Sequence, residues 1–283
     1  MPENEESFWS YANPFHLIKG ILQYRELLLQ FIWWEVQEKY RRTTFGLVWL
    51  LLTPLTKLVV YTTVFSYLLG GRNVVWGMDS DVNVGLMIFA GLIIFTVFAE
   101  TVGSAPRLMW ANRSYIKHIP FPVEILPITI AGASLFQAFL GAVVLLVMKY
   151  IFMGTLGWSC LYLPLVFIPL IPFAVGLSWL FSTIGVFWQD VNNITQSFVQ
   201  FMLFMSAIVF PLDRVISVLP NRTALLFRIN PLMTIVEDAR RVTLKDMPPD
   251  WHWYIVTLIG SYLLMTVGYM VFMRTKRAFS DVV

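Results

Sequence analysis

The 283-residue chain contains little charge and a single cysteine. Only 13% of its residues are Asp, Glu, Lys or Arg, whereas a typical soluble domain has about 25%. A soluble protein of this size needs more charge to cover its surface, so the composition excludes an ordinary cytosolic enzyme. Cys160 stands alone, which excludes an intrachain disulfide and a cysteine-rich metal site. The net charge of +3 is too small to indicate a nucleic-acid partner.

Motifs that carry catalysis are also missing. The sequence has no GxxxxGK[ST] loop, no Gly-Lys pair and no GxSxG, so it lacks the usual nucleotide cradle and the usual serine nucleophile. Its histidines, His16, His118 and His252, lie far apart and outside any HExxH context. We therefore expect no catalytic residue, no metal and no cofactor in this chain.

Long apolar runs are what the sequence does have. Hydrophobic residues make up 58% of the chain, and several runs reach the roughly 20 residues that a helix needs to cross a bilayer. These runs lack the period-two alternation of a membrane β-barrel. We predict an all-α membrane protein with six transmembrane helices, at residues 45–69, 82–105, 125–148, 160–187, 191–212 and 251–273.

Basic residues near the span ends predict the orientation. Lys39, Arg41 and Arg42 precede the first span, so this end is expected in the cytoplasm. An even number of spans then places both termini there. The acidic start of the chain, MPENEESFWS, does not resemble a signal peptide. The predicted domains are an N-terminal segment, a transmembrane domain and a cytoplasmic tail, at residues 1–44, 45–273 and 274–283.

Residues 20–42 predict an amphipathic helix that lies in the cytoplasmic interface of the membrane. Four polar residues share one helical stripe, and most of the other residues are Leu, Ile, Phe or Trp. The stripe consists of Gln23, Glu26, Gln30 and Gln37. The helix ends in Arg41 and Arg42 at headgroup level. It is either a simple membrane anchor or a docking surface with an entrance for an anionic lipid.

The inner loop, residues 106–124, predicts a short helix over 112–118 that ends before Pro120 and Pro122. Tyr115 and Ile116 are expected to be exposed on it. Such apolar groups among charges indicate either a contact with a cytoplasmic partner or a rest on the membrane surface.

The outer segment, residues 213–250, contains apolar stretches that are too short and too proline-rich to cross the bilayer. Non-helical backbone at membrane depth is tolerated only inside protein or beside water. We predict a pair of short re-entrant or interfacial helices that break at Asn230–Pro231, and a structured outer loop is the alternative.

Lys57 and Glu100 are the charged residues that are most costly to bury in the spans. Trp49, Thr53, Lys57 and Tyr61 recur every fourth residue and therefore share a helix face. Such a polar face lines either a translocation path or a contact inside the protein. For Glu100 the alternatives to a path are a structural Lys–Glu contact and a local pair with Arg107.

In order and spacing, five motifs resemble those of a known family. They are YRRTTFGLVWLLLTPL, FPVEILP, FWQD, RINPLMTIVEDARR and RTKRAFSDVV. The chain resembles the permease subunit of a type-2 ABC exporter, in the branch that exports bacterial surface polysaccharides such as O-antigen, capsule or teichoic acid. One departure is Gln189, which precedes Asp190 where the family usually has arginine.

The resemblance implies a homodimer in the bacterial inner membrane that binds two copies of a separate ABC ATPase. ATP and Mg would be bound by that ATPase, and a lipid-linked glycan would be the cargo, in contact with membrane lipids. The alternatives are an exporter of drugs or small hydrophobic compounds, and a membrane-embedded enzyme or scaffold.

The resemblance also assigns roles within the chain. The outer short helices would act as a gate. The coupling helix of the family would comprise Asn112, Arg113, Tyr115, Ile116 and Lys117. Together with the charge pattern, this predicts a lipid-headgroup entrance at Arg41 and Arg42, and a translocation path along Trp49, Thr53, Lys57, Tyr61 and Glu100.

Overall fold

The computed structural model describes residues 23–41, 43–64, 84–118, 122–210 and 227–282, and these residues form helices and turns without a strand. The helices are α1 (Arg25–Glu38), α2 (Trp49–Thr62), α3 (Val84–Ala111), α4 (Arg113–His118), α5 (Leu126–Met153), α6 (Leu163–Phe187), α7 (Val191–Met205), α8 (Pro231–Thr243), α9 (Trp251–Thr275) and α10 (Phe279–Val282). Short 3₁₀ turns cover Gly46–Val48, Val123–Ile125, Trp158–Tyr162 and Lys276–Ala278.

Within the described ranges, four helical segments are long and apolar enough to cross a membrane. They are Val84–Ala111, Val123–Met153, Trp158–Phe187 and Trp251–Ala278. These segments match the predicted second, third, fourth and sixth spans. The predicted first span corresponds to the shorter apolar segment Gly46–Thr62, and its last residues, 65–69, lie outside the described residues.

The helix α6 packs closely against both α3 and α9 because glycines remove the side chains between the backbones. A Cβ atom at Gly176 would lie 2.7 Å from the Cα atom of Met265 on α9. On the same contact, a Cβ at Gly268 would meet the carbonyl of Gly176, and further along α6 a Cβ at Gly185 would meet the carbonyl of Pro106 on α3. Close backbone approach of this kind is typical of packed transmembrane helices.

The predicted fifth span, residues 191–212, is shorter than expected. The helix α7 ends at Met205, so it measures about 22 Å at 1.5 Å per residue, less than the roughly 30 Å of a hydrocarbon core. The chain turns at Ala207, whose φ of 51° is left-handed. Asn230 Nδ2 donates to the carbonyl of Met205 at 3.1 Å, which stabilises this end. The sequence contains neither glycine nor proline at this turn. The apolar run therefore continues past Met205 and gives no signal that the helix ends there.

The buried side chain of Arg240 joins α8 to the broken end of α7 and to α3. Only 1% of Arg240 is exposed. Its guanidinium donates to the carbonyls of Met87 at 3.0 Å, Ala207 at 2.9 Å and Ile208 at 2.6 Å. The last two carbonyls lie in the turn after α7, where the helical pattern no longer supplies donors. Arg240 therefore meets the requirement that buried backbone groups be hydrogen-bonded.

The helix α8 begins at Pro231, with Asn230 as its N-cap, at the position where the sequence predicts a break. The side chain of Asn230 accepts from the amide of Leu232 at 3.1 Å, and Pro231 occupies the first helical position, where its missing N–H is not needed. Residues 213–226 of the predicted outer segment lie outside the described residues. We refer below to the end of the bundle that carries α8 as the α8 end, and to the opposite end as the α4 end.

Ion pairs and polar contacts tie the α8 end to α5. The ammonium of Lys149, at the end of α5, is fully buried and lies 2.6 Å from Asp246 Oδ1. Ser159 donates to the carbonyl of Val242 at 2.9 Å and lies 3.3 Å from the same oxygen of Asp246. Since a buried ammonium requires a partner, these contacts fix the chain after α8.

The carboxylate of Asp238 links α8 to the start of α9. It is 2% exposed and accepts from the amide of Asp250 at 2.8 Å. Burial raises the pKa of the Asp238 carboxyl from its ordinary 3.8 to about 6. The ionised form, which still predominates at neutral pH, is therefore less stable in the folded protein than in the unfolded chain.

Replacing Arg240 by Gln should destabilise the α8 end, because a glutamine cannot reach all of the carbonyls that the guanidinium binds. We expect a loss of about 3–5 kcal/mol, the size seen when a buried charged partner is removed. The measurement is the apparent melting temperature of the detergent-purified protein. Arg241→Gln is the matched control, since its side chain is half-buried and donates to Pro248. Equal melting temperatures for the two variants would contradict the anchoring role.

Asp238→Asn should raise the apparent melting temperature at pH 7.5, because the amide oxygen still accepts the bond from Asp250 and the buried charge is gone. The raised pKa corresponds to at most ~3 kcal/mol. As the pH falls through about 6, the folded wild type takes up a proton that the unfolded chain does not yet bind. The advantage of the variant should therefore shrink between pH 7.5 and 5. An advantage that stays constant over this range would refute the assignment.

Candidate functional site

The polar face of α2 points into the protein, toward α3 and α5. Trp49, Thr53, Lys57 and Tyr61 are all half-buried. The ammonium of Lys57 lies 3.2 Å from Thr96 Oγ1 on α3. Thr53 and Lys57 line, with residues of α3 and α5, a narrow cleft of about 20 Å³. The structure thus brings these residues together, and their role in a translocation path stays a prediction.

Glu100 pairs with a residue that sequence reasoning did not consider. Its carboxylate lies 2.5 Å from the ammonium of Lys39, just after α1. Lys39 also donates to Gln137 Oε1 on α5 at 2.8 Å. Of the alternatives considered, a structural Lys–Glu contact describes Glu100 best, whereas Arg107 is exposed. The partners are 61 residues apart, so no local spacing could have indicated them.

The helix α1 lies along α5, and its predicted polar stripe is exposed. A Cβ atom at Gly132 would overlap the side chain of Ile32, and the rings of Trp33 and Phe136 meet edge-to-face with centroids 6.4 Å apart. The side chains of Leu29, Trp33 and Trp34 are nevertheless exposed. An apolar surface beside an exposed polar stripe is what an interfacial helix requires.

A cavity of about 450 Å³ opens between the end of α1 and the 3₁₀ turn before α2. Its wall includes Trp34, Gln37, Glu38, Tyr40 and Arg41. Burial is the larger cause, and the nearby Glu100 the smaller one, of a raised pKa of the Tyr40 hydroxyl. Arg42, the second predicted headgroup residue, lies outside the described residues. The exposed Arg41 could pair with an anionic headgroup, while Glu38 opposes negative charge on its side of the wall.

The predicted coupling helix exists as α4, but Ile116 is not exposed on it. Ile116 is half-buried and packs against an apolar cluster at the α4 end that includes Met109, Phe272 and Phe279. Ile116 is half-buried because the C-terminal helix α10 folds back onto α4 and covers this side chain. Asn112 is buried as well and donates to the carbonyl of Leu108 at 3.0 Å.

The other residues assigned to coupling are only partly described. Arg113 is exposed, so it is available for a contact with another protein. The side chains of Tyr115 and Lys117 lie outside the described part of the chain. The coupling role of α4 therefore stays a prediction, and Arg113 is the residue of this set whose surroundings fit it best.

An exposed polar face on α7 is the feature that sequence reasoning missed. The exposed residues fall on one side of the helix at spacings of three, four and seven, and they mix amide or hydroxyl groups with aromatic rings. They are Asn193, Gln196, Ser197, Gln200, Phe201 and Phe204, together with the apolar Ile194. We call this surface the α7 face. The opposite side packs inward through Val191, Thr195 and Val199.

The exposed surfaces of α5 and α9 differ from the α7 face. On α5 the exposed side includes Phe139, Val143, Val147 and Ile151, and on α9 it includes Ile255, Ile259, Leu263 and Val267. Those surfaces suit lipid chains. Amide side chains do not, because lipid offers them no hydrogen-bond partner. Gln196 donates to the carbonyl of Gly103 on α3 at 2.9 Å, so Asn193 and Gln200 are the amides of the α7 face that require water or protein opposite them.

The α7 face was not predicted because the apolar run that contains it carries no charged residue. The run 191–212 contains no Asp, Glu, Lys or Arg, and charge was the signal used to find costly residues in the spans. A helical-wheel reading of the amides alone would have found it, because Asn193, Gln196 and Gln200 recur with helical spacing.

Known proteins resemble this chain over most of its length. The sequence profile of a family described as ABC-2 type transporter matches residues 26–244. The O-antigen export system permease protein RfbA of Myxococcus xanthus is 20% identical over 265 residues, which cover 94% of this chain and 98% of the relative. An RfbA protein of Klebsiella pneumoniae is 20% identical over 250 residues, or 88% of this chain and 91% of the relative.

A third relative is named for a different cargo. The polysialic acid transport protein KpsM of Escherichia coli is 23% identical over 213 residues, which cover 74% of this chain and 78% of the relative. The family match spans more than half of the chain, and the apolar helices fit a multi-pass membrane protein. The chain belongs to the ABC-2 type transporter family.

Proposed function

We propose that the chain is the membrane-spanning permease half of an ATP-driven exporter, and that its cargo is a lipid-linked polysaccharide. The polymer would move from the cytoplasm to the outer face of the bacterial inner membrane. The relatives are named as an O-antigen export permease and a polysialic acid transport protein, and these names support a polysaccharide cargo. The α7 face is the observation in this chain that carries the proposal.

The chemistry of the α7 face suits a sugar polymer. Asn193 and Gln200 offer amide donors and acceptors, while Phe201 and Phe204 offer flat apolar surfaces. A glycan presents hydroxyl groups and apolar ring faces, so it can use both kinds of group. A small hydrophobic drug would have no use for the exposed amides, which is why we favour a polysaccharide over the drug-exporter alternative.

A path along the α7 face needs a second wall, and we propose that a second copy of the chain supplies it. In this homodimer the two α7 faces would enclose water, which satisfies their amides. The proposed six spans would include α2, continued beyond residue 64, and α7 with the turn that follows it. The segment around α8, held by Arg240, would close the path at its outer end as a gate.

The cargo would enter beside α1, on the cytoplasmic side. The cavity lined by Arg41 lies between the end of α1 and the 3₁₀ turn before α2, and a cation there suits a lipid-linked phosphate. Lys39 pairs with Glu100 next to this cavity, so the same contact holds α1 against the spans. In this orientation both termini would lie in the cytoplasm.

The energy would come from a separate ABC ATPase, two copies of which would bind the dimer and hold ATP and Mg. The α4 end is the proposed docking site, with the exposed Arg113 at its surface. The apolar cluster that packs Ile116 against α10 would make α4 part of a rigid unit with the ends of α3 and α9. A push on α4 would then reach the spans directly.

The water-filled path can be tested by cysteine labelling. In a Cys160→Ser background, Asn193→Cys and Gln200→Cys should react with a charged, membrane-impermeant thiol reagent. The reagent is added to both sides of the membrane, so that it can enter a water-filled path from either end. Val147→Cys and Leu263→Cys, on the apolar surfaces of α5 and α9, are the matched controls and should stay unmodified. Labelling of the two α7 positions no faster than these controls would rule out a path along the α7 face.

The cargo can be tested in a strain that lacks this chain. Surface polysaccharide should disappear by glycan staining, while lipid-linked polymer accumulates inside the cell. Complementation with Arg41→Gln and Arg42→Gln together should restore export only partly, whereas Arg25→Gln, at the far end of α1, should restore it fully. Normal surface glycan with altered sensitivity to small drugs would instead support the drug-exporter alternative.

A further inference from the structure

A second cavity lies at the α8 end, between α8, the turn before it and the start of α9. Its volume is about 440 Å³, within the range of roughly 300–1,000 Å³ that is typical of small-molecule sites. The residues that matter for its chemistry are Arg228, Thr234, Glu237, Asp238, Arg241 and Trp253. We call it the α8 pocket.

The charges of the α8 pocket are balanced and already held by neighbours. Lys245 lies 2.6 Å from the carboxylate of Glu237, and Arg241 donates to the carbonyl of Pro248 at 3.1 Å. The carboxylate of Asp238 accepts from a backbone amide. Three basic and three acidic side chains line the wall, so the pocket does not select an ion of one sign.

These side chains keep hydrogen-bonding capacity after their structural bonds are made. A carboxylate has about four acceptor positions and a guanidinium has five N–H groups, and each is engaged here only in part. A ligand that carries many donors and acceptors without net charge fits such a wall best. A hydroxyl-rich sugar residue has this chemistry.

The pocket also has an apolar wall. The ring of Trp253 is half-buried, and the guanidinium of Arg228 lies over it at a cation–π distance of 5.9 Å from the centroid, so a sugar ring would use the surface that the guanidinium leaves open. Met233 lies beside it in the wall. A flat aromatic surface next to charged hydrogen-bonding groups can accept the apolar face of a sugar ring.

The wall is rigid and lies next to the end of the α7 face. The helix α8 is fixed by Arg240 and by its cap Asn230. Arg228 is two residues from Asn230, whose side chain donates to the carbonyl of Met205 at the last residue of α7. A polymer that leaves the α7 face at this end would therefore pass the α8 pocket.

We propose that the α8 pocket is a binding site for uncharged, hydroxyl-rich sugar residues of the exported glycan, with Trp253 as the stacking surface. The proposal rests on the proposed function for its source of ligand. It adds a site at the outer end that holds sugar residues after they leave the path, and so disfavours their return.

The test uses the full-length chain in lipid nanodiscs. The probe is the surface polysaccharide of the strain that carries this chain, cleaved from its lipid by mild acid. Binding is measured by saturation-transfer NMR and by titration. Trp253→Ala should weaken binding about tenfold, and Trp253→Phe, which keeps a ring, should stay within about threefold of the wild type. Thr234→Val, which removes one hydroxyl from the wall, should cause a smaller loss.

A control variant and a folding check accompany the binding measurement. Trp158→Ala removes a tryptophan that is 87% exposed and lies outside the pocket, at the same end of the bundle, and should bind as the wild type does. Each variant must elute as a single species with the wild-type melting temperature. If Trp253→Ala fails this check, the Thr234→Val result decides.

The inference is wrong if the wild type does not bind the probe, or if the folded pocket variants bind it as well as Trp158→Ala does. The deletion strain separates this failure from a failure of the proposed function. Loss of surface glycan in that strain together with unchanged binding by the pocket variants would overturn the pocket alone. Normal surface glycan would overturn the function on which the pocket depends.

Discussion

The hydrogen bonds of Arg240 are the constraint on which the α8 end depends. An apolar bundle can end a helix inside the protein only if some group supplies donors to the freed carbonyls. The guanidinium does this for Ala207 and Ile208 and also reaches α3 at Met87. The early end of α7, the placement of α8 and the pocket beside it all follow from this one side chain.

A second polar contact acts in the same way at the other end of the path that we propose. Lys39 ties the chain after α1 to Glu100 on α3 and Gln137 on α5. Both contacts replace water with protein partners for a costly charge. Arg240 and Lys39, one at each end of the bundle, thus hold elements of the same chain together, whereas Asn193 and Gln200 on α7 face outward.

How much the sequence predicts depends on the range of the interactions concerned. The spans that became α3, α5, α6 and α9 were predictable, because a long apolar run is a local property. The turn at Ala207 was not, since its cause, Arg240, lies 33 residues further on. The charge of Glu100 marked it as costly, but its partner Lys39 is reached only through the packing of α1 on α5. The predicted exposure of Ile116 was wrong for the same reason, because α10, the helix that covers it, comes from the far end of the chain.

The α7 face is where local and global requirements disagree within a single chain. Its inner side packs against the protein, with Thr195 fully buried, while its outer side exposes amides, unlike the apolar exposed surfaces of α5 and α9. In a soluble protein such a face would need no explanation, because water would cover it. In a membrane it leaves hydrogen-bonding groups unsatisfied unless a second surface encloses water with them. In the homodimer that we propose, the two α7 faces would enclose that water. The same amides and rings could bind a hydrated sugar polymer as it crosses, so in this proposal the need for a second copy and the suitability for transport have one physical origin.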